Sequence, residues 1–137
     1  MKFFLDNCIS VHYARALRVL TEFQKYEIVH LSEKFAKDTK DIVWIRELAK
    51  ENDWVIISGD PRISRNKAER EAWHESGLTA FFFGDGWASR KYWKQAEDIV
   101  RWWPDIVLAA REAKKGTGFL LSLKATSMKE IYTQDQH

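Results

Sequence analysis

Short apolar runs that stop on an acid alternate, along this chain, with stretches of amphipathic spacing. The first run, Lys2-Phe3-Phe4-Leu5-Asp6-Asn7, has the unbroken apolar character of a buried parallel strand and closes on a carboxylate. Ile9, Ala14, Leu17 and Leu20, with Arg15 and Arg18 between them, predict an amphipathic helix that Ser10 can cap. Residues 26–31, rich in β-branched and aromatic side chains, predict a second strand. The polar stretch 32–40 is expected to be a mobile connection. A helix follows from Asp41 to about Asn52, with Val43, Trp44, Leu48 and Ala49 turned inward. The third strand, Trp54-Val55-Ile56-Ile57-Ser58-Gly59, also ends on an acid, Asp60, and Pro61 turns the chain there.

The second half continues the alternation. Residues 67–76 read as a helix with Gly77 as its C-cap, and residues 78–83 as a fourth strand closed by the tight turn Gly84-Asp85-Gly86. Between Trp87 and Lys115 the spacing of Trp93, Ala96, Ile99, Val100 and Trp103 is helical; Pro104 interrupts it and Ile106 to Ala113 resume it. A broken or kinked helix pair is expected. A last short strand spans 117–123, and 124–137 read as a loose C-terminal tail to a single domain of residues 1–123. Strands alternating with helices predict an α/β fold: three layers, a central mostly parallel sheet of about five strands, helices on both faces.

Composition narrows the function only a little. The net charge of +2 over 137 residues is too small to indicate nucleic-acid binding unless the basic residues cluster. A single cysteine, Cys8, forms no internal disulfide, suggests a reducing compartment, and reads as a small buried residue. No run approaches the roughly 20 apolar residues of a membrane span, and the start lacks the pattern of a signal peptide, so a cytoplasmic protein with no membrane partner is expected. The four histidines have no zinc-ligand spacing with Cys8. No glycine-rich fingerprint follows the first strand, which disfavours a dinucleotide.

The acids change the picture more. Parallel strands of one sheet bring their carboxyl ends to a common rim, where open α/β sheets bind ligands. Asp6 and Asp60 end two such strands, and Asp41 opens a helix that starts at the same rim. Each acid alone is as well explained as a helix cap. Together they repel, and a hard divalent cation such as Mg²⁺, held by two or three carboxylates and several waters, relieves that repulsion. Arg62, Arg65, Lys67 and Arg70 follow Asp60; they are either a phosphate-contact surface or a solvated helix face. Ser58 can orient a carboxylate or face solvent, and Asn7 can ligate through its amide oxygen or simply turn the chain.

Three segments then resemble a known group. Phe3-Phe4-Leu5-Asp6-Asn7 with Ser10, Asp41-Ile42-Val43-Trp44-Ile45, and residues 55–63 with Ser58-Gly59-Asp60-Pro61-Arg62 are similar to the PIN-like superfamily, and most to compact PIN-like proteins related to VapC-type toxins. The resemblance covers residues 2 to about 83. It implies a small three-layer fold and RNA cleavage dependent on Mg²⁺ or Mn²⁺, by a metal-activated water, with Asp6, Asp41 and Asp60 as catalytic metal ligands. Ser58 falls at the hydroxyl position of the strand-end motif. It also implies the toxin of a toxin–antitoxin pair, with RNA as substrate and an antitoxin protein or a second copy of the chain as partner. Larger members carry a further acid between the first two; Glu22, Glu27 and Glu33 lie in that interval without convincing context. Asn7, Ser58, Arg62, Arg65 and Arg70 are the expected substrate contacts.

The competing expectation is a catalytically inactive PIN-like module that binds protein through its Trp-rich C-terminal half. Trp87, Tyr92, Trp93, Trp102 and Trp103 cluster there, either as core or as an exposed patch. A phosphoryl-accepting regulator on a similar sheet is a third option, and it wants paired acids at the first strand where this chain has Asp6-Asn7.

Overall fold

The computed structural model describes residues 1–134. Six strands form one sheet in the order β2-β1-β3-β4-β5-β6. They are β1 (Lys2–Leu5), β2 (Glu27–His30), β3 (Trp54–Ser58), β4 (Ala80–Phe83), β5 (Gly118–Leu121) and β6 (Lys129–Tyr132). The first five run parallel and β6 is antiparallel to β5. The helices are α1 (Val11–Leu20), the single turn α2 (Leu31–Lys34), α3 (Asp41–Glu51), α4 (Lys67–Ser76) and α5 (Tyr92–Glu112). The α/β three-layer expectation is met.

Alternation along the strands sorts the core into two halves. Phe3, Leu5, Val55, Ile57, Phe81, Phe83, Phe119 and Leu121 face α1 and α5. Phe4, Trp54, Ile56, Ala80 and Phe82 face α3 and α4. Both faces being covered explains why these strands read as continuous apolar runs. The chain moves outward from β1 to β2, returns past β1 to β3, and then proceeds to β4. Direction therefore reverses between β1 and β3, the crevice where sheets of this kind bind ligands.

Local signals position the elements around that crevice. Ser10 caps α1, its hydroxyl accepting from the His12 N–H at 3.1 Å. Gly77 ends α4 with φ +67°, the left-handed conformation glycine adopts without cost. Residues 32–40 are more ordered than expected: α2 carries a capping box between His30 and Glu33, and the Asn7 amide donates to the Lys37 carbonyl.

Several expectations are corrected. Val43 is exposed and Ile45 takes its place in the core beside Trp44 and Leu48. Four consecutive apolar residues, 42–45, fit more than one helical phase, and packing chose the one that buries Ile45. In the second half Trp93 and Val100 are exposed, while Ile99, Trp102, Trp103, Ile106 and Val107 are buried. Pro104 does not split the helix: α5 runs unbroken for 21 residues. The proline lies on the solvent side, where water can serve the Val100 carbonyl that loses its N–H partner. The expected loose tail contains β6, which supplies a sixth strand; residues 135–137 of that stretch lie outside the described residues.

The β6 attachment is built on aromatic contacts that the short polar tail did not advertise. The Tyr132 ring stacks on His74 at 3.6 Å and lies 5.4 Å from Trp73. Trp73 in turn presses on bare backbone: a Cβ at Gly118 would stand 2.3 Å from its Cη2. We predict that Gly118→Ala, by overpacking this junction, lowers stability by about 1–3 kcal/mol. Urea denaturation with an unchanged m-value and a lower midpoint would show it.

Candidate active site at the switch point

The register places the two strand-end acids side by side. Leu5 pairs with Ile57, and the Asp6 N–H donates to the Ile57 carbonyl at 3.2 Å. Asp6 is 3% exposed and Asp60 9%. The Ser58 hydroxyl donates to Asp6 Oδ2 and accepts from the Asp60 N–H at 2.9 Å. One hydroxyl thus ties both acidic segments together, which answers the alternatives left open for Ser58. Asp6 Oδ1 accepts from the Cys8 and Gly59 N–H groups at 3.1 and 3.3 Å. At Gly59 a Cβ would come within 2.7 Å of Trp87 Nε1 and 2.8 Å of the Cys8 carbonyl. Only glycine lets Trp87 reach across and donate to that carbonyl at 3.1 Å.

The third acid arrives on α3. Asp41 is half-buried at the first turn, and Trp44 Nε1 donates to its Oδ1 at 3.0 Å. The acids are near enough to feel one another's charge, Asp6 that of Asp41 and Asp41 that of Asp60. Burial first and the negative charge of Asp41 after it raise Asp6 to about 7, against hydrogen bonds from Ser58, Gly59 and Cys8. Asp41 is also raised, first by burial and then by Asp60 and Glu69, against the hydrogen bond from Trp44. Asp60 goes the other way. Burial pushes it up, but the side-chain and backbone hydrogen bonds of Arg62 and its positive charge outweigh that and hold it below the usual carboxylate range.

The donor set suits a hard cation in kind, being carboxylate oxygen at a buried, mutually repelling rim. In pose it is not assembled. Among the described residues no group of three or more His, Cys, Asp or Glu side chains stands close enough together to hold a metal ion. Asp60 is turned onto Arg62 and Asp41 onto Trp44.

The remaining candidates separate. Arg62 grips Asp60; Arg65 pairs with the exposed Asp85 at 3.1 Å; Arg70 Nη1 reaches the Arg65 carbonyl at 3.4 Å. All three arginines lie along the turn and helix that leave Asp60. A cleft of about 320 Å³, lined by Cys8, Gly59, Asp60, Arg62, Arg65 and Trp87 among others, opens beside them. Asn7 is exposed, its amide nitrogen spent on Lys37. Cys8 is an exposed residue and not core; its thiol is pushed up to about 12 by partial burial and then by Asp6, Asp60 and Asp41, so it stays protonated. Of the acids weighed as a fourth ligand, Glu33 is committed to Arg18 and to the His30 N–H, while Glu22 and Glu27 are exposed at the far end of β2.

Two contributors were missed. Glu69 on α4 adds to the negative charge felt by Asp41, and nothing in its sequence setting on a charged helix distinguishes it. His30, 4% exposed, puts Nε2 2.6 Å from the Ile9 carbonyl, with Nδ1 accepting from the Ser32 N–H at 3.1 Å. It pins the loop that follows Asp6. Its signal was available: it ends a strand, as Asp6 nearly does. Of the aromatic cluster, Trp87, Trp102 and Trp103 are core, leaving Trp93 and Tyr92 at the surface.

A doubly wound sheet with Asp6 and Asp60 tied together through Ser58 at its reversal point defines an α/β domain with acids at the carboxyl end of its strands. The family model described as "PIN like domain" matches residues 1–85, which hold all three acids, and the chain belongs to that family. PIN-like domains are often nucleases and commonly use divalent metals. No curated protein and no solved structure matches the chain. No helix among the described residues is long and apolar enough to cross a membrane.

The raised Asp6 has a consequence for stability. Its carboxyl titrates near 7 when folded and near 3.8 when unfolded, so the folded chain keeps a proton through that window that the unfolded chain has lost. Stability therefore falls as pH rises from about 4 to 7. In EDTA, Asp6→Asn is expected to gain roughly 1–3 kcal/mol over the parent at pH 8 relative to the difference at pH 5. Thermal denaturation of both chains at the two pH values measures it.

Proposed function

We propose that this protein is a metal-dependent endoribonuclease, acting as the toxin of a toxin–antitoxin pair. The observation that carries the reading is the buried Asp6, raised by desolvation and by Asp41, at the point where sheet direction reverses and Asp60 also arrives. A protein that needed only a fold would have little reason to bury an unpaired acid there. Membership in a family whose domains are often nucleases supports the same reading.

Asp6, Asp41 and Asp60 are the residues that would hold Mg²⁺ or Mn²⁺, which when bound supplies positive charge for the phosphodiester and lowers the pKa of water. The chain's own groups do the rest. Ser58 and the backbone N–H groups of Cys8 and Gly59 fix the Asp6 carboxylate. Arg62 and Arg65 line the cleft beside Asp60 and Arg70 follows on α4; in this reading they release their present partners to take phosphate oxygens of a single strand. The neighbouring cleft gives the strand room beside Asp60. The antitoxin, or a second copy of the chain, is the partner this reading implies.

A second reading, a non-catalytic module that binds protein, is favoured by one observation: Trp93 is 79% exposed beside the half-exposed Tyr92. Cleavage of mixed single-stranded RNA separates the two. With Mg²⁺ or Mn²⁺ the parent is expected to cut, EDTA to stop it, and Asp60→Asn to lose at least about a hundredfold in rate while keeping its circular dichroism spectrum. A folded parent that cuts in no lane would favour the binding module.

A further inference from the structure

We propose that Arg62 is a latch on the cation position: its guanidinium occupies Asp60 until a divalent cation displaces it, and then turns to a substrate phosphate. This rests on the metal reading above.

The geometry of the grip is specific. Asp60 Oδ1 accepts from the Arg62 N–H at 2.9 Å and from Nε at 3.0 Å; Oδ2 accepts from Nε at 2.8 Å and forms an ion pair with Nη2 at 2.7 Å. Both carboxylate oxygens are therefore covered by one side chain two residues away. Pro61 makes this possible, because its fixed φ starts the 3₁₀ turn Pro61–Ser64 and folds Arg62 back onto the acid that precedes it. The backbone part of the grip is a helix cap and can persist. The guanidinium part cannot coexist with a cation on the same oxygens.

The latch is built to open. The Arg62 side chain is 73% exposed while Asp60 is buried, so the guanidinium can swing into solvent with little loss of packing, and it leaves behind a buried carboxylate that needs another positive charge. It also cannot be opened by losing its proton, since guanidinium stays charged at any ordinary pH. Only competition for Asp60 removes it. Arg65, three residues on, already has a carboxylate partner in Asp85, whereas a displaced Arg62 has its charge exposed at the rim beside the cleft. A phosphate oxygen there would compensate it. Cation and phosphate then favour each other's binding, each relieving a cost the other creates.

The test is Mn²⁺ binding by titration calorimetry, without RNA, on the parent, Arg62→Gln, Arg65→Gln and Asp60→Asn, each checked for fold by circular dichroism. Arg65→Gln controls for charge alone, because Arg65 lies near Asp60 without touching it. The latch predicts that Arg62→Gln binds about three- to tenfold more tightly than the parent, or binds where the parent does not. Arg65→Gln should stay within about twofold and Asp60→Asn should weaken binding. Equal affinity in parent and Arg62→Gln overturns the latch and leaves the metal reading standing, as does an Arg65→Gln gain as large as that of Arg62→Gln. Absence of Mn²⁺ binding in both parent and Arg62→Gln overturns latch and metal reading together.

Discussion

The pairing of β1 with β3 is the constraint on which the site depends. Strands adjacent in space but separated by a whole excursion to β2 and back bring Asp6 against Ser58 and Asp60, and one hydroxyl spans the two segments. Hydrogen bonding there satisfies the carboxylate oxygens of Asp6 without neutralising them, so burial prevails and the acid is held near neutrality. The three acids meet their shared problem by three different means. Asp6 is pushed up toward the protonated form, Asp60 borrows a guanidinium, and Asp41 keeps partial access to water with one indole N–H.

How much of this was legible follows from where the information lies. Strand ends were legible because a parallel strand buried on both faces is a continuous apolar run, and Asp6 and the Ser58-Gly59-Asp60 segment stop those runs visibly. The caps at Ser10 and Gly77 were legible for the same local reason. The phase of α3 was not, since four apolar residues in a row do not choose a face; the sheet chose Ile45 over Val43. Pro104 misled because a proline breaks a helix only where the lost hydrogen bond cannot be made up, and its solvent-facing position permits that. β6 escaped notice because what holds it, Tyr132 against Trp73 and His74, is some 60 residues distant in sequence.

The candidate site divides in the same way. The juxtaposition of Asp6 with the Asp60 segment could be read from strand ends and topology. Their poses could not, because side-chain partners such as Arg62 on Asp60 and Trp44 on Asp41 are decided after the backbone has closed. A basic run looks the same in sequence whether its members wait for phosphate or hold a neighbour. Here they do different things: Arg62 holds an acid of the site, Arg65 one outside it, and Arg70 a backbone carbonyl.

The two-sided core makes the strands that carry the acids depend on residues far along the chain. All three acids are synthesised within the first 60 residues, and the family match ends at residue 85. Yet Phe3, Leu5 and Phe83 are covered on one face by Trp87 and by Trp102, Trp103 and Ile106 of α5, and β4 gains its second neighbour only with β5. A chain ended at the family match would keep α1 on that face and lack the cover that α5 supplies there. The acids and the cover over their sheet thus come from different parts of the sequence: the long helix that closes one face lies wholly outside the family match.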